Sequence, residues 1–256
     1  MKWNPFSGAP GQALTRRDGL VYFVLVPACI NLLLIGLYFS GDQLAQYLVA
    51  PRIEWLNKRS WREFGALEQL QNLFLLCVIL LFLLQSLRRE RIVERLFFLA
   101  GSLMMGFLFL EEVDYGLHIY EYSLGYSLDE EEVARNLHNN EALGYSLTDR
   151  LKRISDTLMF IWFILAPLVS TKVSLGPLQN IVPSRWFVLG FCVILVFSEL
   201  AHYLDDQGLD LIDGLKGALV DNISEFRETS NYYFYLLYAL QLVATRPLFR
   251  QAQTHA

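Results

Sequence analysis

Residues 107–120 read Phe-Leu-Phe-Leu-Glu-Glu-Val-Asp-Tyr-Gly-Leu-His-Ile-Tyr, and here an apolar run meets two adjacent carboxylates. The run begins near residue 96, so it approaches the ~20 residues that an α-helix needs to cross a bilayer. Ionisable groups at membrane depth are costly and usually face a bundle interior or a water-filled cavity. The stretch therefore predicts a membrane-spanning helix whose end carries Glu111 and Glu112 into a polar site.

The composition extends this interpretation to the whole chain. Of its 256 residues 54% are hydrophobic and 18% charged, whereas soluble domains carry roughly 25% charged residues. We predict an all-α, polytopic transmembrane helical bundle forming one integral membrane domain over residues 1–256. Aromatic and basic residues between spans one and two also predict an interfacial helix there. The six predicted spans lie at about 20–39, 70–87, 96–116, 154–171, 186–203 and 230–245.

The positive charges predict the orientation. The short connections hold 11 of the 21 Lys and Arg residues against three acidic residues, and cytoplasmic loops are the ones enriched in Lys and Arg. Both termini are therefore expected in the cytoplasm of a bacterium, with the chain in its inner membrane and the long acidic loops outside. The 11 cations are Lys2, Arg16, Arg17, Arg88, Arg89, Arg91, Arg95, Lys172, Arg185, Arg246 and Arg250.

Polar residues on five spans fall at a similar depth. At ~1.5 Å per helical residue, Glu111 lies about 24 Å from Arg95, and Glu199 about 21 Å from Arg185. This layer predicts the floor of a shared outward-open cavity, although helix ends that simply meet solvent would give the same pattern. The other members of the layer are Asn72, Glu112, Asp156, His202, Glu228 and Asn231.

Three histidines stand near carboxylates. Glu199 and His202 are three residues apart, which places both on one helix face, and carboxylate–histidine metal sites in helical bundles use this spacing. His118 follows the carboxylates of the third span, and His138 lies in the next loop. Such a group could bind a divalent transition metal, or act without metal as general acid and base; a hydrogen-bonded structural role stays open for each histidine.

Two motifs also resemble a known family. Residues 111–116, Glu-Glu-Val-Asp-Tyr-Gly, and residues 136–139, Asn-Leu-His-Asn, are similar to the signature Glu-Glu-x-x-Trp/Tyr-Gly … Asn-Leu-His-Asn of bacterial polytopic membrane proteins that have no assigned activity. The resemblance implies that Glu111, Glu112 and His138 are the leading site residues. Glu199 and His202 come second, and His118 and Glu228 are secondary metal ligands.

Three functions fit these patterns. The first is an enzyme, working with or without a metal, that acts from the outer side on a lipid or lipid-linked substrate with Glu111, Glu112, His138, Glu199 and His202 in its site. The second is a structural subunit of a membrane assembly, and the third a cation- or proton-coupled transporter. Membrane lipids are the expected partners, a protein partner or a second copy stays open, and no nucleic acid is predicted.

Overall fold

The computed structural model describes residues 14–38, 66–124, 157–206, 219–245 and 247–249, together with 40, 42, 45, 49, 150, 153 and 154. These residues form helices, with no strand in the described ranges. We number the helices in chain order: α1 Arg16–Tyr38, α2 Ala66–Arg88, α3 Ile92–Glu112, α4 Leu117–Leu124, α5 Thr157–Val169, α6 Trp186–Asp206 and α7 Leu219–Ala244. The all-α helical bundle predicted from the sequence is confirmed.

Four of the described helices, α1, α2, α3 and α6, are long and apolar enough to cross a membrane. They correspond to predicted spans one, two, three and five. The fourth predicted span, 154–171, is represented by the shorter apolar helix α5, and the sixth by α7, which begins eleven residues earlier than residue 230. The third span ends at Glu112 rather than 116, and most of the predicted interfacial helix lies outside the described residues.

Helix α7 is the centre of the bundle. Buried residues occur all around it, which explains why it tolerates many tyrosines and polar groups: a helix enclosed by other helices does not meet lipid. Its polar N-terminal half is the reason that it lacks the uniform apolar composition of a lipid-facing span. The buried residues of α7 include Phe226, Thr229, Ser230, Tyr232, Tyr233, Phe234, Leu237, Ala239, Leu240 and Leu242.

Helix α2 runs parallel to α7 and is joined to it at both ends. Near the start of α2, Gln71 donates a hydrogen bond from Nε2 to Thr229 Oγ1 at 3.0 Å. Directly after the end of α2, Arg89 donates to the carbonyl oxygens of Leu242 and Val243 at 3.1 Å. Because α3 folds back antiparallel to α2, its carboxylate end lies beside the polar half of α7.

The middle of the bundle is filled with aromatic rings. The ring centroid of Phe187 on α6 lies 4.7 Å from that of Phe23 on α1 and 5.3 Å from that of Phe163 on α5. Both partners stand in π-helical turns, Val21–Leu25 and Ile161–Leu165, each followed closely by a proline, Pro27 or Pro167. A proline lacks the N–H that would bond the carbonyl four residues earlier, and the widened turn accommodates that loss.

A buried ion pair closes the end of the bundle at the turn between α2 and α3. Arg89 Nη1 lies 3.2 Å from Glu94 Oε2, and both side chains are about 95% buried, with relative exposures of 3% and 5%. The same guanidinium donates to Thr245 O at 2.8 Å and lies 5.0 Å from the centroid of the Phe98 ring. Glu94 Oε1 in turn accepts a hydrogen bond from the backbone N–H of Leu248 at 3.0 Å. We call these groups the Arg89 clamp.

Candidate functional site at the end of α3

Helix α3 ends in a turn of left-handed backbone. Asp114 and Tyr115 have φ angles of 46° and 53°, and Gly116 has a φ of 86°. Glycine adopts this conformation freely and Asp tolerates it, but Tyr does so at a cost. Strained backbone of this kind persists only where the surroundings hold it, and it is concentrated at functional sites. Here it redirects the chain from α3 into α4 and buries the Asp114 side chain.

Glu111 is held by the same turn. Its side chain is buried, and the hydroxyl of Tyr115, four residues later, donates a hydrogen bond to its Oε1. This hydrogen bond to a carboxylate raises the pKa of Tyr115 to about 12. The phenol therefore stays protonated at neutral pH and acts as a permanent donor to Glu111.

Glu112 points instead toward α7. Tyr232 donates a hydrogen bond from its hydroxyl to Glu112 Oε1, and the phenol also interacts electrostatically with Glu228. Glu228 and Tyr232 are four residues apart on α7, so one helix face presents both. We call Glu112, Glu228 and Tyr232 the carboxylate–tyrosine group. It unites two of the acidic residues singled out in the sequence, and both carboxylates are partly accessible.

A second set of polar side chains lies deeper, between α1, α2 and α7. Asn31 on α1 donates from Nδ2 to Ser230 Oγ at 2.8 Å and to Pro27 O at 2.8 Å. Asn72 is 6% exposed, and its side-chain oxygen has no hydrogen-bond donor within the described ranges. Glu68, one turn before Asn72, is buried as well. The hydrogen bond of Asn31 with Ser230, together with that of Gln71 with Thr229, ties α1 and α2 to α7.

The other predicted site residues lie elsewhere. Glu199 and His202 are exposed on α6, away from the packed face of that helix, so the structure does not join them to the carboxylate–tyrosine group. His118 lies on α4, and its side chain is not among those described. His138 and Asp156 lie outside the described residues.

No three His, Cys, Asp or Glu side chains within the described residues come together in a way that could hold a metal ion. Glu112 and Glu228 supply two carboxylates only. The divalent transition metal expected from the sequence would need further ligands, of which His138 is the one that the sequence singled out. Metal binding therefore stays a prediction.

The tyrosines are the part of the site that sequence reasoning missed. In the sequence, Tyr232 and its neighbours at the start of the sixth predicted span are typical of an interfacial aromatic belt, and Tyr115 is part of the Glu-Glu-x-x-Trp/Tyr-Gly motif. The signal was present in the spacing: each phenol lies four residues after an acidic residue, Glu111 before Tyr115 and Glu228 before Tyr232. Residues four apart on a helix are neighbours, and a buried phenol usually finds a hydrogen-bond partner; both rules apply to Glu228 and Tyr232 on α7, whereas Tyr115 reaches Glu111 through the left-handed turn after α3.

Comparison with known proteins gives no relative for this chain: no family model matches it, and neither curated proteins nor solved structures show a significant similarity. The resemblance to the Glu-Glu … Asn-Leu-His-Asn family therefore stays a prediction.

Proposed function

We propose that this chain is an integral membrane protein of the bacterial inner membrane that performs acid–base chemistry on a lipid or lipid-linked substrate from the outward side. The carboxylate–tyrosine group is the proposed site, and both termini lie in the cytoplasm. Membrane lipids are then both its surroundings and the source of its substrate.

The single observation that carries the proposal is the placement of two carboxylates around one phenol. Enzymes that perform acid–base chemistry commonly place two carboxylates in one site, where different surroundings give the two groups different pKa values. Such a pair supplies a general acid and a general base in one place. Tyr232 orients Glu112 through its hydrogen bond, and the outer end of α7 is fixed by the bonds of its neighbours Thr229 and Ser230 to α2 and α1.

A lipid substrate is favoured by the surface beside this group. Phe107 and Leu110, which precede Glu112 on α3, are 46% and 43% exposed. In a bilayer these side chains would be covered by acyl chains, so a lipid headgroup lying against α3 could approach Glu112 without crossing the bundle. Buried apolar side chains of α2 and α3, among them Val78, Phe82 and Met105, fill the interior between this end and the Arg89 clamp, and for that reason we favour an enzyme over a conducting pathway.

The proposal predicts that replacing Glu112 by Gln abolishes turnover of a lipid. The substitution keeps the size and a hydrogen-bond acceptor for Tyr232 but removes the acid–base function, which typically contributes about 10²–10⁴-fold to a rate. Purified protein would be reconstituted with a bacterial total lipid extract, and the lipid species followed by mass spectrometry. Wild type is expected to convert at least one species, with the rate lost in Glu112→Gln.

Glu90→Gln is the matched control, since Glu90 is exposed in the turn between α2 and α3 at the inner end. It should turn over lipid at the wild-type rate. No conversion by wild type, or a conversion that survives in folded Glu112→Gln, would refute the proposal. Adding a chelator to wild type tests the metal prediction in the same assay. A loss of turnover would show that the reaction needs a bound metal, held by ligands such as His138.

A further inference from the structure

Asn72 on α2 buries a side-chain oxygen that receives no hydrogen bond from the described part of the chain. Its side chain is 6% exposed, and Oδ1 lacks a donor among the described residues. A buried amide oxygen without a donor lowers stability, and an unsatisfied group of this kind in a folded protein is often explained by a ligand, an ion or water. The packing of α2 shows which groups surround this oxygen.

The contacts between α2 and α3 give the direction in which Asn72 faces. Arg95 on α3 donates from Nε to Ser86 O, and Ser102 on α3 donates from Oγ to Ile79 O, both at 3.2 Å. A step of seven residues back along α2 therefore matches a step of seven forward along α3. Residues seven apart lie on nearly the same face of a helix. One further step from Ile79 reaches Asn72, so Asn72 also faces α3.

The carboxylates of Glu112 and Glu228 lie at the level of Asn72. By the same register, Glu112 comes one turn after the position on α3 that is opposite Asn72. On α7 the level is given by Gln71, the neighbour of Asn72, which bonds to Thr229, the neighbour of Glu228. Asn72 therefore borders the carboxylate–tyrosine group from the side of α2.

The surroundings of Asn72 are acidic. Glu68 is buried four residues earlier on the same helix face, and it adds a third carboxylate to those of Glu112 and Glu228. Within the described ranges no three acidic, His or Cys side chains come close enough to hold a metal ion, so the ligand is expected to bond to separate acceptors. It has to bring positive charge and several N–H donors, and a primary ammonium group has both.

We propose that Asn72 and the carboxylate–tyrosine group bind the primary ammonium group of a lipid headgroup. This names the substrate class of the site proposed above and rests on that proposed function. Counted from Arg88, Asn72 lies about 24 Å along α2, near the outer limit of a hydrocarbon core roughly 30 Å thick. Lipid headgroups begin at that depth, and the exposed Phe107 and Leu110 of α3 leave the approach open to lipid.

Lipid binding without turnover tests the proposal. Delipidated protein would be titrated in detergent with phosphatidylethanolamine, phosphatidylcholine or phosphatidylglycerol of the same acyl chains, and bound lipid counted by native mass spectrometry. The choline headgroup keeps the positive charge but has no N–H donor, and the glycerol headgroup has no positive charge. Wild type is expected to bind phosphatidylethanolamine about 10- to 100-fold more tightly than phosphatidylcholine, the range that a hydrogen bond to a charged group contributes.

Three variants assign this preference to Asn72. Asn72→Leu has a similar volume without the acceptor, and it should bind phosphatidylethanolamine only as tightly as phosphatidylcholine, whose binding stays unchanged. Asn72→Asp restores an acceptor and should restore the preference. Asn180→Leu makes the same change in the turn before α6 and should behave as wild type. Thermal unfolding in detergent checks that each variant is folded.

Equal affinity for the three lipids, tighter binding of phosphatidylglycerol, or a preference that survives in folded Asn72→Leu would overturn the proposal. Displacement of the lipid by free ethanolamine at equal concentration would assign the site to a soluble amine and overturn the lipid assignment. The proposed function fails separately: selective binding without any lipid turnover would refute the enzyme alone. Turnover of a lipid without an amine, lost in Glu112→Gln, would refute the ammonium site alone.

Discussion

Replacing Arg89 by Ala is expected to cause the largest loss of stability among the variants considered, because it opens the end of the bundle at the turn between α2 and α3. The guanidinium binds Glu94 and also the last carbonyls of α7, at Leu242, Val243 and Thr245. Removing one partner of a buried ion pair typically costs about 3–5 kcal/mol, because the remaining charge stays buried and unpaired. The change would be measured as thermal or denaturant unfolding of the protein in detergent, followed by circular dichroism.

Arg88→Ala is the matched control: Arg88 is the preceding residue and is exposed, so its loss should change stability little. A second variant separates the ion pair from the helix contacts. Arg89→Met/Glu94→Leu removes both charges, yet the carbonyls of α7 still lose their donors. We therefore expect it to recover only part of the lost stability. Full stability in Arg89→Ala would mean that the clamp does not hold α7.

Gly190→Ala is expected to be the second most damaging variant. A Cβ atom at this position on α6 would lie 2.4 Å from Cζ of Phe234 and 3.1 Å from the backbone oxygen of Phe23. Phe234 is completely buried, so its ring has little room to move. Overpacking of a well-packed core costs typically about 1–3 kcal/mol, and the same unfolding measurement in detergent would detect it.

Gly106→Ala is the matched control: it makes the same Gly-to-Ala change, but we expect it to leave the stability unchanged or to raise it. Gly106 lies within α3, and a Cβ there would meet nothing within 4 Å. Alanine is favoured over glycine in a helix by roughly 0.5–1 kcal/mol, so this variant should match or exceed the wild type. If both alanine variants were equally destabilised, the close approach of α6 to α1 and α7 would not be the cause.

The sequence predicted the fold class correctly because length and hydrophobicity decide it. Runs such as residues 96–112 have no stable alternative to a spanning helix, and the basic turn around Arg89 marks where one hairpin folds. The sequence did not reveal that α7 is the central helix of the bundle. In the sequence alone, the tyrosine-rich part of α7 looks the same as an aromatic belt at the membrane interface. Only the packing of Gln71, Asn31 and Glu112 against α7 shows that this helix is enclosed by its neighbours.

The candidate site was predicted only in part, because the sequence gives the depth of a residue along a helix but not the direction of its side chain. Counting residues from the basic anchors placed Glu111, Glu112 and Glu228 at one depth, and the structure joins Glu112 and Glu228 through Tyr232. Depth along a helix does not determine the direction in which a side chain points. Glu199 lies at a similar depth, yet the packing of Phe187, Ile194 and Ala201 on the opposite face turns it outward.

The central claim is that the carboxylate–tyrosine group faces outward, and side-specific labelling tests it most directly. With the native cysteines changed to Ser, a single reporter would be placed by Ser123→Cys on α4, which follows the turn at the end of α3, or by Glu90→Cys in the turn between α2 and α3; both positions are exposed. A membrane-impermeant maleimide is expected to label the Ser123→Cys protein in intact spheroplasts and the Glu90→Cys protein only after lysis. Labelling of the Glu90→Cys protein in intact spheroplasts, with the Ser123→Cys protein protected, would contradict the account.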